Sequence, residues 1–278
     1  RNAFYAKIDK NGNFQYLKSI RGNANIDAFA ITTNIDSNVV LVGAFNEKII
    51  LKNDTIASKG DSDIFTVSID SLGSITNYKI NYGFKGIIKL LASDVDKNKD
   101  IILCGYYYGN VAFANTTLQS VGKKDAFIAK YNLENGFLWA KSIGSIADDE
   151  FRSVVIDSSN NYYVAGYYSD TINVLNQNYP SAGMKDILVA KFDSNGNMSL
   201  IKTYGGIADD NCNSLAIYAN NIAITGTFSN SINFDGTNFN AGIYDDIFVL
   251  SSNLSLVKNW VVKAGGNSTD NVAKIIAD

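Results

Sequence analysis

At 278 residues, with 46% hydrophobic residues that include 16 Tyr and 15 Phe, the chain is long and apolar enough to bury a sizeable globular core. Its formal net charge of −3 argues against nucleic acid or an anionic membrane as the main partner, and no apolar run approaches the ~18 residues of a membrane-spanning segment. It has no histidine, which removes Ser-His-Asp and Cys-His catalysis and any His-ligated metal, and its two cysteines, Cys104 and Cys212, cannot make a zinc site or a disulfide framework.

Read along the chain, one unit recurs. Apolar-aromatic stretches stand at "NAFYAKID", "DIFTVSID", "DAFIAKYN", "DILVAKFD" and "DIFVLSSN". Their third residues, Phe4, Phe65, Phe127, Leu188 and Phe248, are 61, 62, 61 and 60 residues apart. The glycines of "VGAF", "CGYY", "AGYY" and "TGTF", Gly43, Gly105, Gly166 and Gly226, repeat at 62, 61 and 60. Two independent markers agree, and a fixed period of this size signals an array or a propeller.

Each unit reads as four short strands, A to D. In the unit that follows residue 147, "FRSVVID" alternates as strand A, "NYYVAGYY" is a β-branched and aromatic strand B, "DILVAKFD" is C, and "SLIKTYG" after the turn "SNG" is D. Turns such as "DKNG" and "DSNG" suit tight hairpins, because Asn, Asp and Gly tolerate a left-handed backbone. The single proline, Pro180, is expected in a loop. Between B and C lies a connector 17 residues long in every unit: 46–62, 108–124, 169–185 and 229–245. Ile49/Leu51, Val111/Phe113, Ile172/Val174 and Ile232/Phe234 sit at constant offsets two apart, so the connector is expected to be an ordered hairpin. Lys18, Lys79, Lys141 and Lys202 recur in strand D, expected at the outer edge, where lysine discourages sheet addition. Phe45, Tyr107, Tyr168 and Phe228, two after each marker glycine, are expected to pack between units.

The expected fold is therefore all-β, a β-propeller of four-stranded antiparallel blades. A partial blade covers 1–23, four complete blades lie near 24–83, 85–144, 147–205 and 208–266, and a partial blade covers 267–278. A β-solenoid is the rival, but its coils are shorter and lack these hairpin turns. The chain starts on a C strand and ends on an A strand. Closing it into five blades would set C beside A with no B between, leaving backbone unpaired, so a portion of a longer propeller is expected, with a strained five-blade closure as the alternative. A chain that opens inside a repeat gives the absence of a signal peptide little weight. Cys104 and Cys212, separated by a whole blade, are expected to be unbonded buried fillers.

The stretches "SIADDEFRSVVIDSSNNYYVAGYYSDTINV" and "DAFIAKYNLENGFLWAKSIG" resemble the bacterial SBBP-type β-propeller repeat, and the resemblance covers almost the whole chain. It departs in "GFKGIIKLLASDVDKNKD", which lacks the acidic lead-in. The resemblance implies a propeller fold and a secreted or cell-surface location within a larger bacterial protein, with other domains of the same chain as neighbours. It implies no catalytic residues.

Internal repetition separates scaffold from candidate site, since residues present in every blade serve the fold. The pairs Asp148–Asp149 and Asp209–Asp210 precede strand A, with Asp270 matching the second member; Asn25–Ile26 and Gly86–Ile87 replace them in the first two blades. D-to-A and B-to-C connections of a propeller share a face, so these acids and the 17-residue hairpins should lie together. Either each Asp caps its own turn, or the acids hold calcium or a hydroxyl-rich ligand. Tyr106, Tyr108 and Tyr167 flank the same face and could stack on a glycan or a peptide. Asp94, Asp96, Asn98 and Asp100 of "DVDKNKD" space oxygens like the start of a calcium loop but lack the glycine and distant Glu of an EF-hand; a solvated turn is the plainer reading. Three functions follow. The first is a non-catalytic extracellular module binding a protein or a glycan without a cofactor. The others are a glycan-active enzyme using carboxylates and a calcium-stabilised structural repeat.

Overall fold

The computed structural model describes residues 2–23, 25–33, 39–81, 85–113 and 116–277. Residues 24 and 82–84, at expected blade boundaries and within "GFKG", lie outside the described residues, as do 1 and 278 of the partial blades. Among the described residues every regular element is a strand.

The chain opens with a hairpin of β1 (Ala3–Ile8) and β2 (Phe14–Gly22). Four antiparallel units follow. The first holds β3 (Ile26–Thr33), β4 (Val39–Phe45), β5 (Lys48–Leu51), β6 (Asp54–Ala57), β7 (Asp63–Ile69) and β8 (Ile75–Asn81), with sheet order β3-β4-β7-β8. The second holds β9 (Lys85–Val95), β10 (Ile101–Phe113), β11 (Thr116–Gln119), β12 (Asp125–Asn132) and β13 (Gly136–Ile143); β10 pairs with β9 and β12, and β12 with β13. The third holds β14 (Glu150–Ile156), β15 (Tyr162–Tyr168), β16 (Thr171–Val174), β17 (Gln177–Pro180), β18 (Asp186–Phe192) and β19 (Met198–Gly206), ordered β14-β15-β18-β19. In the fourth, β20 (Asp210–Tyr218), β21 (Asn221–Phe234), β22 (Thr237–Asn253) and β23 (Lys258–Ala264) pair in succession. Every unit is the meander A-B-C-D, a propeller-like all-β arrangement, as the repeat predicts.

The C strands β7, β12 and β18 are buried almost throughout because both of their faces are covered. Phe65, Phe127, Leu188 and Phe248 are all at most 1% exposed. Each lies in a cluster that includes the preceding unit: Phe65 with Tyr5 and Ile20, Phe127 with Val42 and Ile64, Leu188 with Cys104 and Ile128, Phe248 with Ala165 and Ile187. Phe45, Tyr107, Tyr168 and Phe228 are buried as expected. Cys104 and Cys212 are free and fully buried, in different clusters.

The C-to-D turns follow their sequence. Asp9, Asp70 and Asp193 each accept backbone N–H bonds from residues two and four further on, at 2.8–2.9 Å, while Gly12, Gly73 and Gly196 take φ of 78° to 84°.

The connectors form paired strands, 114–115 of the second lying outside the described residues, and seven of their eight paired apolar residues are buried, Val174 being half-buried. Two of these hairpins reach back to the preceding unit: β5 pairs with the end of β2 (Arg21↔Ile50, Gly22↔Ile49), and β21 with the end of β19 (Gly205↔Asn233, Gly206↔Ile232). Strand D is thus not a wholly free outer edge. Its lysines also bridge units rather than only guarding an edge: Lys79 donates to the Glu134 carbonyl at 2.7 Å, and Lys202 pairs with Asp235 at 2.6 Å. Pro180 closes strand β17 instead of lying in a loop, at the end of a two-stranded edge hairpin where its missing N–H costs no ladder bond.

The marker glycines mark a close approach. At each, strand A bulges toward strand B, and a Cβ on Gly43, Gly105, Gly166 or Gly226 would lie 1.8–2.4 Å from the carbonyl oxygen of Asp27, Lys89, Glu150 or Asn211. Gly166→Ala is expected to destabilise the protein by about 1–3 kcal/mol in urea unfolding, the cost of forcing packed backbone apart. Gly266→Ala, where a Cβ meets nothing within 4 Å, should stay within about 0.5 kcal/mol of wild type.

Candidate functional site

The D-to-A loops and the hairpin connectors do share a face. Each loop is tied to the residue that leads into the preceding C strand: Asp149 N–H bonds the Lys124 carbonyl, Asp210 that of Lys185, and Asp270 that of Asp245, all at 2.8 Å. The second acid of each pair turns inward and caps its own loop. Asp149 accepts from the Ser145 amide (2.6 Å), the Ser145 hydroxyl (2.9 Å) and the Ser169 amide (3.0 Å). Asp210 accepts from Gly206 N–H at 2.7 Å, and Asp270 from Gly266 N–H at 3.0 Å. Asp149 and Asp210 are fully buried, so these carboxylates hold turns rather than face a ligand. Asp148 and Asp209 stay half-buried at the surface, and Asp209 pairs with Lys185 at 3.1 Å.

A second set of acids completes this junction. Asp63, Asp125, Asp186 and Asp246 head the C strands of the four units that follow the first hairpin and are buried. Asp125 accepts from Val121 N–H at 3.0 Å and Asp186 from Ala182 N–H at 2.9 Å. The glycine ending strand D packs on them: a Cβ on Gly144, Gly205 or Gly265 would lie 2.1, 2.1 or 1.9 Å from the carboxyl of Asp125, Asp186 or Asp246. The signal was present as the first letter of "DIFTV", "DAFIA", "DILVA" and "DIFVL", beside the more conspicuous aromatic anchor.

The tyrosines sit where the second and third units meet on this face. Tyr106 and Tyr108 are in edge-to-face contact, centroids 6.0 Å apart, and Tyr108 is exposed. Tyr167 is buried, its ring approached by three cations: Arg152 at 5.1 Å, Lys185 at 5.1 Å and Lys124 at 5.4 Å. Glu150 joins them, bonded to Arg152 Nε at 2.6 Å and Lys124 Nζ at 2.9 Å. Burial pushes the Glu150 carboxyl up, but its two cations outweigh this and hold it below its ordinary value. Burial likewise opposes the Lys124 charge, yet bonds to Tyr167 and Glu150 raise its pKa. The Lys124 ammonium also lies 4.7 Å from the Tyr106 ring centroid, linking the tyrosines into one cluster. Sequence reading missed Lys124, Glu150, Arg152 and Lys185. For Glu150 the signal is variability at a fixed place: the strand A residue that faces the marker glycine is Asp27, Lys89, Glu150 and Asn211 in turn.

Beside Tyr106, a groove of about 510 Å³ runs between the first and second units, walled by Phe29, Ile87 and Ile88 and edged by Asn25, Asp27 and Lys89 among other residues. Amide, carboxylate, ammonium and aromatic groups converge there, a set suited to hydroxyl- or amide-bearing ligands.

The "DVDKNKD" turn is occupied by protein groups. Asp96 accepts from the Asn98 and Asp100 amides (2.8 and 3.0 Å), from Tyr162 OH at 2.8 Å and from Lys130 Nζ at 2.9 Å. Asp100 pairs with Lys130 at 3.0 Å and accepts from Asn132 at 2.6 Å; Asp94 accepts from Val95 N–H at 2.8 Å. The Lys130 ammonium holds the place a cation would take. Among the described residues, no group of three or more acids and cysteines is arranged to hold a metal ion.

Burial, with backbone donors opposing it, raises the Asp149 carboxyl to about 6; in Asp210 burial, aided by the charges of Asp186 and Asp209, raises it to about 8. Both folded values lie above the unfolded one. Their neutral forms therefore stabilise the fold fully below about pH 4, and this stability is lost as pH rises through the folded values. Thermal melts should fall between pH 5 and 8, and Asp210→Asn should flatten that fall by on the order of 5 °C. An unchanged slope would show that Asp210 is not the titrating group.

No known family model matches the chain. Over 238 aligned residues it is 24% identical to an uncharacterized WD repeat-containing protein of Acanthamoeba polyphaga mimivirus; the match covers 69% of this chain and 16% of that protein, so the chain spans only a small part of the relative's length. A crystal structure of a Bacteroides caccae protein of unknown function aligns with 70% of this chain and 73% of its own, at 8% identity and a TM-score of 0.28, a superposition too loose to bear on fold or function. The WD-repeat relative accords with a repeat, propeller-like chain.

Proposed function

We propose that the chain is a non-catalytic scaffold and interaction module of a secreted or cell-surface bacterial protein, binding a protein or glycan partner on the face of the D-to-A loops and hairpins. The observation that carries the reading is the Tyr106–Tyr108 pair beside the groove, with the charged cluster around Tyr167 next to it. These side chains differ from unit to unit, whereas the scaffold residues repeat. The proposed location rests on the resemblance to SBBP-type repeats. The fate of the acids supports binding over catalysis. Carboxylate hydrolysis needs two acids about 5–10 Å apart across a cleft. Here Asp149, Asp210 and Asp270 cap loops, and Glu150 and Asp209 are held by cations.

Screening the protein on glycan and peptide arrays tests the reading. Tyr106→Ala with Tyr108→Ala should weaken any specific hit by about tenfold or more, as loss of an aromatic anchor does, with little change in melting temperature. Turnover of an arrayed glycan that a single acid substitution abolishes would replace this reading with the enzymatic one. A calcium-dependent rise in melting temperature without any hit would favour the purely structural one.

A further inference from the structure

The groove beside Tyr106 is apolar within and charged along its edges. Phe29 of the first unit and Ile87, Ile88 and Tyr106 of the second form its walls. Ile88 is buried, but Ile87 is 58% exposed. Ile87 pairs across the sheet with Tyr108, which is exposed too. Branched aliphatic and aromatic surface of this kind leaves water only when something apolar covers it.

The two sides of the groove carry opposite charge. The first unit contributes Asp27 and Asp61, the second Lys89. Asp27 and Lys89 occupy one repeat position, facing the marker glycine of each unit. Asp61 has its counterpart in Lys123, each two residues before the aspartate that heads strand C. Both positions thus change from acid to base between the first unit and the second. Asp61, Lys89 and Lys123 are exposed, and none of the three has an ion pair or a side-chain hydrogen bond among the described residues. The neighbouring Lys124, by contrast, is held by Glu150.

We infer that the groove takes a segment of polypeptide: an apolar side chain lies against Phe29, Ile87 and Tyr106, with a basic residue on the Asp27–Asp61 side and an acidic one on the Lys89 side. This rests on the reading of the chain as an interaction module and names the partner of the same face. The occupant is a polypeptide by complementarity, because one short segment brings an aliphatic anchor and both signs of charge. A glycan stacks its C–H faces on flat rings and offers hydroxyls; even an acidic one leaves the branched Ile87 and the carboxylates unmatched. The groove volume of about 510 Å³ falls within the roughly 300–1,000 Å³ of ligand sites. Covering the apolar wall supplies the affinity. Ion pairs at an open edge add little to it and instead fix the direction in which the segment lies.

Selection from a displayed library of random short peptides by the 278-residue chain tests this, beside a glycan array probed with the same protein. The expected result is enrichment of peptides with an aliphatic or aromatic residue between a basic and an acidic one, in a single order. Asp61→Lys with Lys89→Glu exchanges the charges of the two edges. In fluorescence anisotropy the exchanged protein should bind the selected peptide about tenfold more weakly and regain affinity for a peptide whose two charged residues are interchanged. Ile87→Ser should weaken binding in both backgrounds by about tenfold, since it removes part of the apolar wall. All three side chains are exposed, so circular dichroism should show every variant folded. Enriched peptides without charges overturn the inference, as does a selected peptide whose affinity the exchange leaves unchanged, or a glycan as the sole hit; in each case the chain remains an interaction module. Binding to no peptide and no glycan overturns both the inference and the reading beneath it.

Discussion

A sheet with two apolar faces cannot stand alone in water, and this constraint organises the whole molecule. Each four-stranded meander has an anchor face and an opposite face, and each anchor face is buried by the unit before it. Fully burying one phenylalanine contributes about 1.5–3 kcal/mol, so a junction with several buried aromatics outweighs any single polar contact across it. The buried C strands β7, β12 and β18, the aromatic pair Phe45–Phe65, the packing of Trp139 on Gly196 and the back-reaching hairpins all serve these junctions. The same logic explains the marker glycines. Strand A must bulge against strand B, and only a residue without a Cβ allows its carbonyl so close.

Once the junctions are apolar, their rims must satisfy the backbone that turns between sheets. Aspartate does this almost everywhere. It caps C-to-D turns at Asp9, Asp70 and Asp193, the A-to-B turns at Asp96 and Asp157, and D-to-A loops at Asp149, Asp210 and Asp270. An acidic composition that could suggest metal or acid-base chemistry is thereby largely structural. Buried carboxylates near one another carry a cost, visible in the raised values of Asp149 and Asp210, and the fold carries it at the unit junctions.

The proposed recognition rests on the part of each unit that repetition leaves unspecified. On the loop-bearing face the strand A residue opposite the marker glycine changes from Asp27 to Lys89 to Glu150 to Asn211. Around it gather Lys124, Arg152, Lys185 and the tyrosines. Repeating sheets below and variable polar groups above make a surface whose side chains can change without disturbing the core.

The all-β class, the unit length, the four-strand order, the ordered connectors and the burial of Phe45, Tyr107, Tyr168 and Phe228 were legible in the sequence. They depend on local periodicity and turn chemistry, which a repeat states several times over. Sequence alone could not choose between the two roles of Asp149 and Asp210, because a capping carboxylate and a ligating one have the same spacing; only the position of the Ser145 and Gly206 amides decides. Nor could it show that Tyr167 is enclosed by cations while Tyr108 is open, or that Lys130 sits between Asp96 and Asp100. Those partners lie from 15 to 43 residues apart in the chain and meet only when neighbouring strands and units pack. The sequence determined what each unit is, through patterns short enough to be local. The tertiary structure decided which side chains meet at the junctions, because those contacts are set by the packing of one sheet on the next.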